Sequence, residues 1–347
     1  MAYYGRSPVR ILHGEALQPF NSLALQASAD ALVTVATTEE LLAACRWAQQ
    51  RDLSVVPLGQ GSNVVLAGDL NALVVLQQIP GIELIDQRGD TVTLRVGAGE
   101  DWHSLVQWSM EQGLYGLENL ALIPGTVGAA PIQNIGAYGV ELKSFVHAVH
   151  AIAIATGEQV SLSASECEFA YRYSVFKGRL QDRLVITAVD LRLSRRADIH
   201  IAYPALAAQL ADFPGKEITP QQVFAAVVAI RSSKLPDPAV FPNAGSFFKN
   251  PQLPAAQASA LAARFPDLPG YPQPDGSVKF AAAWMIEYCG WKAYREQDLG
   301  VHPEHALVLV NYGNNNGRQL LGLAGRIAAS VRETFGIELH IEPRVYG

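Results

Sequence analysis

Residues 124–139 read Pro124-Gly125-Thr126-Val127-Gly128-Ala129-Ala130-Pro131-Ile132-Gln133-Asn134-Ile135-Gly136-Ala137-Tyr138-Gly139. Small residues dominate this stretch, and its apolar residues follow neither the helical nor the strand period. Backbone without large side chains is able to pack flat against a large planar ligand. Taken alone, the same pattern also fits a buried glycine-rich turn.

A shorter glycine-rich loop, Gly59-Gln60-Gly61-Ser62-Asn63, directly follows an apolar strand that we predict at residues 53–58. Backbone N–H groups of such a loop can point at a phosphate, and glycine tolerates both positive φ and close approach. Val64 stands where the Rossmann fingerprint has its third glycine, and no long helix follows, which disfavours a standard NAD-binding fold. An ordinary tight turn is the alternative for this loop alone.

Composition sets limits on the kind of protein. The chain has 347 residues, 49% of them hydrophobic, which suits two or three domains with real cores. Its net charge of −6 gives no hint of nucleic acid or an anionic membrane as partner. The three cysteines are far apart and form no Cys-x-x-Cys, and the N-terminus has no apolar signal region. We therefore expect a soluble protein of the reducing cytoplasm, with no membrane span.

The order of predicted elements changes along the chain. A strand at residues 32–36, a helix that begins with the capping box of Thr37 and Glu40, and strands at 53–58 and 72–76 indicate a small α/β unit. Mainly antiparallel strands follow, at residues 82–86, 91–96, 148–155, 159–162 and 184–193, with helices at 101–112 and 219–231. Beyond a proline-rich link at 235–242 we predict helices at 255–265, 280–289 and 319–335 and strands at 306–310 and 337–341.

A third segment, Asn243-Ala244-Gly245-Ser246-Phe247-Phe248-Lys249-Asn250-Pro251, places a serine between a glycine and two aromatic residues. Ser246 is a candidate site residue, although the segment is not the Gly-x-Ser-x-Gly elbow of an α/β-hydrolase. A serine that caps a turn is the alternative for this segment alone.

The two glycine-rich segments together favour one extended cofactor, such as a dinucleotide, over two unrelated turns. With the serine segment, they closely resemble the UDP-N-acetylenolpyruvoylglucosamine reductase (MurB) family, and the resemblance extends from Asn21 to Pro343. The resembling segments also include Ile123, Tyr171-Arg172-Tyr173-Ser174-Val175-Phe176-Lys177 and Arg231-Ser232-Ser233-Lys234-Leu235-Pro236.

The resemblance implies a fold and a division into domains. The implied fold is α+β, with the FAD-binding fold of the vanillyl-alcohol-oxidase-like (PCMH-type) superfamily and an additional α/β substrate-binding domain. We expect FAD-binding subdomain 1 at residues 1–78 with the C-terminal strand 337–347, subdomain 2 at 79–235, and the substrate-binding domain at 236–336. FAD would lie between the first two parts. The segment Ile201-Ala202-Tyr203-Pro204-Ala205-Leu206 resembles the tyrosine loop of one subtype, with Pro204 where a glycine is expected.

The resemblance also implies ligands and the residues that bind them. FAD would be held non-covalently, with NADPH as co-substrate and a UDP-sugar as substrate. The implied cofactor-binding residues are Pro57, Gly59, Gln60, Gly61, Ser62, Asn63, Pro124, Gly125, Thr126, Gly128, Ala129, Gln133, Asn134, Gly136, Ala137, Tyr138 and Gly139. The implied substrate-binding residues are Tyr203, Lys234, Asn250, Tyr171 and Glu304.

The implied reaction is the reduction of UDP-N-acetylenolpyruvoylglucosamine to UDP-N-acetylmuramate in peptidoglycan precursor synthesis. NADPH would reduce FAD, and hydride would then pass to the enolpyruvyl group, in alternating use of one cleft. Ser246 resembles the family's proton donor, Arg172 would stabilise negative charge growing on the substrate carboxylate, and Glu342 resembles a second catalytic acid.

Three alternatives follow from the same residues. A flavin oxidase of the same fold would act on an alcohol or hydroxy acid, often with covalent FAD, but residues 58–65 contain neither His nor Cys and Cys45 lies on a predicted helix. A non-catalytic nucleotide-binding module is a second alternative. A metal site at His302 and His305 lacks a third ligand at fitting spacing, so we expect structural histidines and no metal. We expect a monomer.

Overall fold

The computed structural model describes residues 9–211 and 218–347. The described residues form two compact units. The first unit takes its residues from Met1–Glu15, Ala29–Gln60 and Asn71–Ser233, and the second from Ala16–Ser28, Gly61–Leu70 and Lys234–Gly347. The break after Ser233 falls close to the boundary expected at residue 235, while the three-part division drawn from the sequence stays a prediction.

Strands in the described residues are β1 Leu12–Ala16, β2 Ser28–Val35, β3 Ser54–Leu58, β4 Val64–Leu66, β5 Leu70–Gln77, β6 Ile82–Arg88, β7 Thr91–Gly97, β8 Gly136–Ala137, β9 Val140–Glu141, β10 Val146–Ala153, β11 Gln159–Ser163, β12 Leu184–Ser194, β13 Asn243–Ser246, β14 Gln252–Leu253, β15 Gly270–Pro272, β16 Val278–Phe280, β17 Arg295–Glu296, β18 Leu299–Val301, β19 Val308–Asn311 and β20 Arg344–Tyr346. The α-helices are α1 Thr38–Gln49, α2 Trp102–Glu111, α3 Pro204–Gln209, α4 Pro220–Lys234, α5 Ala255–Arg264, α6 Ala282–Tyr288 and α7 Gly317–Phe335. Short 3₁₀ helices lie at Gln18–Phe20, Glu118–Leu120, Ala130–Gln133, Leu142–Ser144 and Val175–Lys177.

The smaller sheet of the first unit has the strand order β1-β2-β5-β3, and β3 runs parallel to β5. Helix α1 packs its buried face, including Leu41 and Ala48, against this sheet. The predicted capping box is confirmed: the Glu40 N–H donates to Thr37 Oγ1 at 3.1 Å, and the Glu40 carboxylate accepts from the Ala36 N–H at 2.7 Å. Strand β3 belongs to this sheet, and the first glycine-rich loop begins directly after its last residue, Leu58.

The larger sheet of the first unit is antiparallel, with the order β11-β10-β12-β7-β6. One face packs against α2 and α4 and buries the alternate residues of β7 and β12. Its other face carries Asp190, whose side chain is 4% exposed and makes a bidentate ion pair with Arg95 through two 2.8 Å contacts. His150 Nε2 also lies 2.8 Å from Asp190 Oδ2. The antiparallel strands predicted at residues 82–86, 91–96, 148–155, 159–162 and 184–193 are confirmed.

The second unit contains a sheet of order β13-β19-β18-β17, a three-stranded sheet of order β14-β16-β15, and the parallel pair of β20 and β4. Helix α7 buries one stripe of apolar residues, including Leu320, Ile327 and Phe335. The Phe335 ring packs at a tilt against Phe265, the residue after α5, with ring centroids 4.5 Å apart.

The strand predicted at residues 337–341 is wrong. Ile337 and Leu339 are buried, so the alternation read from the sequence is real, yet the backbone there makes only an isolated bridge between Ile341 and Phe248. The Lys249 N–H donates to His340 O and the Glu342 N–H donates to Phe247 O, both at 2.9 Å. These residues thus pack against the serine segment without a ladder, and the C-terminal strand forms later, as β20.

Candidate active site

The two glycine-rich segments meet in the first unit. The Gln60 amide donates to Asp101 Oδ2 at 2.7 Å, and its oxygen accepts from the Gly125 N–H at 3.0 Å. A Cβ built at Gly59 would lie 2.6 Å from Oγ1 of the buried Thr126. Only glycine therefore fits at residue 59 without displacing the second segment. The contact is what a single extended cofactor would require.

Asp101 is the residue that organises this contact. Its Oδ1 accepts from the Ser104 N–H at 2.7 Å, which caps α2, while its other oxygen accepts from Gln60. Burial raises the pKa of Asp101, but the hydrogen bonds from Ser104 and Gln60 outweigh burial and hold that pKa below its ordinary value. Asp101 thus stays ionised as a fixed acceptor.

The second glycine segment is hydrogen-bonded to the residues that directly follow β7. The Val127 N–H donates to Glu100 O at 2.8 Å, and the Gly128 N–H donates to Ala98 O at 2.9 Å. A Cβ at Gly128 would lie 2.5 Å from the Cβ of Ala98. Close backbone packing thus explains why residue 128 is a glycine. In the same segment, Pro124, Ala129 and Gly139 are exposed.

Residues 132–136 are fastened to the arginine segment 170–177, which lies far away in sequence. The Ser174 hydroxyl donates to Ile132 O at 2.7 Å, and Lys177 Nζ lies 3.2 Å from Gln133 Oε1. The Arg172 guanidinium donates to Gly136 O at 3.0 Å. The structure thus brings two of the quoted motifs into direct contact.

Arg172 sits on a tight turn. Ala170 and Tyr173 exchange two backbone hydrogen bonds of 3.1 Å, and Arg172 between them has a φ of 51°. That left-handed conformation is uncommon for a residue other than glycine, asparagine or aspartate, and such residues cluster at functional sites. Its guanidinium carbon lies 5.5 Å from the ring centre of the neighbouring Tyr171.

Tyr138 connects the glycine segment to the predicted tyrosine loop and to Arg231. Its ring meets the ring of Tyr203 edge-on, and Asn119 donates to both Tyr138 O, at 3.1 Å, and His200 O, at 2.8 Å. Burial raises the pKa of Tyr138, against the lowering effect of the Arg231 charge and hydrogen bond. Burial likewise lowers the pKa of Arg231.

Arg231 is the site residue that sequence reasoning missed. It was part of a quoted motif, but no role was given to it. The available signal was its spacing, because Arg231 follows the buried Val223 and Val227 at intervals of four and therefore lies on the inward face of α4. Its Nε donates to Leu122 O at 3.2 Å, beside the start of the glycine segment.

Ser246 ends strand β13 in the second unit. Gly245 before it has a φ of 68°, and the pairing of β13 with β19 shifts register between Asn243 and Ser246. The Asn243 side chain accepts from the Gly245 N–H at 2.8 Å and donates to Phe241 O at 2.7 Å. This local irregularity fixes the backbone from which the Ser246 side chain projects.

Glu342 lies in the same unit as Ser246 and is 8% exposed. Its backbone N–H donates to the carbonyl of Phe247, the residue after Ser246, at 2.9 Å. Glu342 is therefore not a freely exposed carboxylate. The catalytic serine and the second acid of the resemblance come from chain segments that are hydrogen-bonded to each other.

The other residues of the second unit that the resemblance assigns to substrate binding differ in their exposure to solvent. Asn250 is half-buried, and its Oδ1 accepts from the Ala282 N–H at the start of α6, at 3.0 Å. Lys234 and Glu304 are exposed. Burial lowers the pKa of His305, and the charges of His302 and Lys234 lower it further. Lys234 therefore adds positive charge near a neutral imidazole.

The loop residues Gly61, Ser62 and Asn63 belong to the second unit. The Ser22 N–H donates to Gly61 O at 3.1 Å, and the Ser22 hydroxyl donates to Asn243 O at 2.6 Å. A Cβ at Gly61 would collide with the carbonyl of Phe20, and the φ of 61° also favours glycine. Gly61 is thus required for local packing as well as for any phosphate.

The structure bears on a metal site, on the cysteines and on membrane spans. Within residues 9–211 and 218–347, no three His, Cys, Asp or Glu side chains group so as to hold a metal ion. Cys45 is 3% exposed in the core beneath α1, where burial raises the pKa of its thiol to about 11. No α-helix among the described residues has the length and apolar character of a membrane span.

Two family models match the chain. Residues 29–163 match a FAD binding domain, and residues 237–346 match the C-terminal domain of UDP-N-acetylenolpyruvoylglucosamine reductase. The first match includes both glycine-rich segments, and the second includes Ser246 and Glu342.

Similar proteins carry one name. A UDP-N-acetylenolpyruvoylglucosamine reductase of Chromobacterium violaceum is 48% identical over 330 residues, which cover 95% of this chain and 97% of the relative. One of Xylella fastidiosa strain M12 is 48% identical over 343 residues, covering 98% and 97%. The solved structure of the UDP-N-acetylenolpyruvylglucosamine reductase (MurB) of Thermus caldophilus has a TM-score of 0.66 and 25% identity, covering 98% of this chain and 99% of that one.

Proposed function

The chain belongs to the UDP-N-acetylenolpyruvoylglucosamine reductase family, and we propose that Ser246, Arg172 and Glu342 carry the chemistry of that reaction in it. It has the α+β FAD-binding fold expected from the sequence. Its reaction is the FAD-dependent reduction of UDP-N-acetylenolpyruvoylglucosamine to UDP-N-acetylmuramate, with NADPH as co-substrate, in peptidoglycan precursor synthesis.

The residues present fit FAD. Close packing of Gly59 on Thr126 and of Gly128 on Ala98 brings two loops of small residues together, as an extended cofactor requires. When bound, FAD would supply the hydride-transfer chemistry that couples oxidation of NADPH to reduction of the enolpyruvyl double bond. We assign its binding to Pro57, to the loop from Gly59 to Asn63, and to the predicted residues between Pro124 and Gly139 apart from the buried side chain of Asn134. Cys45, buried in the core, supports a non-covalent attachment.

Arg172 is the residue we assign to the substrate carboxylate. Hydride addition to the terminal carbon leaves negative charge that spreads onto this carboxylate. A guanidinium held by Gly136 O on a tight turn is a fixed cation, which stabilises such charge without reorganising. The left-handed backbone of Arg172 adds support for a functional role, because such conformations cluster at functional sites.

Ser246 is the residue we assign to proton delivery, and Glu342 is assigned to the substrate carboxylate beside it. A serine hydroxyl is a weak acid, but it suffices for a strongly basic carbon. The single observation that supports this pair best is the 2.9 Å hydrogen bond from the Glu342 N–H to Phe247 O, which fixes the acid next to the serine segment.

The remaining binding roles are proposed from residue chemistry. Lys234 and Asn250 would bind the diphosphate and sugar of the substrate, since an ammonium is a point charge suited to phosphate. Tyr203 would close over the nucleotide, with Tyr171 beside Arg172 and Glu304 at the edge of the site. We further propose a monomer in the cytoplasm. Its three free cysteines support a reducing compartment.

The test separates the two halves of the reaction. Anaerobic NADPH should bleach the flavin absorbance of the purified protein, and UDP-N-acetylenolpyruvoylglucosamine added afterwards should restore it with formation of UDP-N-acetylmuramate. Flavin that NADPH reduces but this substrate cannot reoxidise would contradict the proposal. Flavin that an alcohol or hydroxy acid reduces and that molecular oxygen reoxidises would instead favour an oxidase.

A further inference from the structure

Asn134 differs from the other predicted cofactor-binding residues because its side chain points into the protein. It is 0% exposed. Its amide nitrogen donates to Glu141 Oε2 at 3.0 Å and to Ala170 O at 3.1 Å, and its oxygen accepts from the Lys143 N–H at 2.9 Å. Both amide hydrogens and the amide oxygen are therefore engaged inside the first unit, as burial of an amide requires.

The backbone of Asn134 is also specialised. It caps the 3₁₀ helix Ala130–Gln133 in the left-handed region, with φ 48° and ψ 65°. Asparagine is among the few residues other than glycine that adopt this conformation at low cost. The conformation and the three hydrogen bonds together explain why asparagine, rather than another small residue, suits this position.

The partners of Asn134 lead to Arg172 by two routes. Ala170 O, which accepts from Asn134, belongs to the first residue of the turn that carries Arg172. Glu141, which also accepts from Asn134, pairs in β9 with Gly136 of β8. The carbonyl of Gly136 in turn accepts from the Arg172 guanidinium at 3.0 Å. One side chain thus holds both the backbone of the turn and the strand pair that fixes the guanidinium.

We propose that Asn134 is a positioning residue that sets the place of the Arg172 guanidinium, and that its side chain does not bind FAD. The inference rests on the proposed role of Arg172. Without the Asn134 amide, the turn at residues 170–173 and the β8–β9 pair lose their common anchor. Displacement of a catalytic cation by a fraction of an ångström to an ångström is enough to slow a reaction strongly.

The test uses Asn134→Gly, which keeps the left-handed backbone but removes all three side-chain hydrogen bonds. We expect FAD content and the rate of flavin reduction by NADPH close to those of the unchanged enzyme. Reoxidation by UDP-N-acetylenolpyruvoylglucosamine should slow by about 10- to 100-fold, the usual range for loss of a positioning hydrogen bond. Asn134→Asp, which keeps the acceptor for Lys143 and loses both donors, should show the same loss.

The decisive measurement is a double-mutant cycle. If Asn134 acts through Arg172, adding Asn134→Gly to Arg172→Ala should slow reoxidation by less than about threefold further. The proposal would be overturned if the double variant slows reoxidation by the product of the two single-variant factors. Normal reoxidation in Asn134→Gly would also overturn it. Loss of FAD from both Asn134 variants would overturn it too. Normal reoxidation in Arg172→Ala would instead refute the proposed role of Arg172 itself.

Lys143→Ala is the matched control. The Lys143 ammonium makes a partly exposed 2.9 Å ion pair with the same Glu141 carboxylate, and this substitution removes it. The backbone N–H of residue 143 still donates to the Asn134 side-chain oxygen. Surface ion pairs contribute little. We expect normal reoxidation in this variant; a loss as large as that of Asn134→Gly would mean that any disturbance of Glu141 slows the reaction, and would overturn the specific role of Asn134.

Discussion

Tyr203 meets Tyr138 edge-on, with ring centroids 5.3 Å apart and an angle of 82° between the ring planes. The tyrosine loop therefore lies against the glycine-rich segment within the first unit, even though Pro204 replaces the glycine expected after the tyrosine. Pro204 is the first residue of α3, a position that proline tolerates well. The substitution thus has a local structural explanation and leaves Tyr203 next to the predicted FAD segment.

Tyr203→Ala should raise the KM for the UDP-sugar by about fivefold, because an aromatic contact is worth about 1 kcal/mol. The kcat and the rate of flavin reduction by NADPH should change little, since Tyr203 has no proposed part in the chemistry. Tyr203→Phe keeps the edge contact and reports on the hydroxyl alone. Steady-state kinetics with varied UDP-sugar give both parameters, and an unchanged KM in Tyr203→Ala would refute the role.

Ser246→Ala should keep FAD and normal reduction by NADPH but lose reoxidation by substrate by about 10²- to 10⁴-fold, because the proton donor is gone. Stopped-flow measurement of flavin absorbance separates the two steps. Ser246→Cys, which retains an ionisable hydrogen, should recover part of the rate. A near-normal oxidative step in Ser246→Ala would rule out Ser246 as the donor.

Gly59→Ala should weaken FAD binding by about tenfold or more, because its Cβ would press on Thr126 and strain of about 1–3 kcal/mol would separate the two loops. Fluorescence of released flavin during dialysis gives the affinity. Gly322→Ala is the control, since nothing lies within 4 Å of a Cβ at that helical position. Equal FAD affinity in both variants would show that the contact of the two glycine segments is unimportant for the cofactor.

Asp190→Asn should lower the free energy of unfolding by about 2 kcal/mol at pH 7. Burial raises the pKa of Asp190, but the hydrogen bonds from Arg95 and His150 outweigh burial and lower it from 3.8 to about 2. Because the folded pKa lies below the unfolded one, this stability is present at neutral pH and is lost as the pH falls from about 5 towards 2.

Urea unfolding of Asp190→Asn and of the unchanged protein, at several pH values between 7 and 4, measures this difference. The gap between the two should begin to narrow below about pH 5. A gap that stays constant or widens on acidification would show that the ion pair contributes no pH-dependent stability.

Local signals predicted local structure well. The Thr37 and Glu40 capping box starts α1 as expected, and the Arg88-Gly89-Asp90 turn joins β6 to β7. These features depend on residues within a few positions of each other, so the sequence carries them directly. The strand predicted at residues 337–341 is wrong because its outcome depends on residues far away in sequence. Burial alternates there as in a strand, but the backbone makes only isolated hydrogen bonds to the serine segment and no ladder.

The candidate site depends on contacts that no local pattern contains. Motifs identified the glycine loops. They did not reveal the hydrogen bond between Gln60 and Gly125 or the one between Asn134 and Ala170. Arg231 illustrates the same limit, because its helical spacing shows burial while its partner Tyr138 becomes known only from the fold. The sequence thus supplied the candidate residues, and the structure supplied the neighbours on which their proposed roles rest.

The left-handed turn of Arg172 has a consequence for the evolution and engineering of this protein. A glycine there would relax the backbone by about 1 kcal/mol and would therefore be the preferred residue for thermal robustness alone. Searches that select for heat resistance without selecting for turnover should drift towards that replacement. Under the role proposed for Arg172, a relaxed backbone and a catalytic cation would demand different amino acids at this one position.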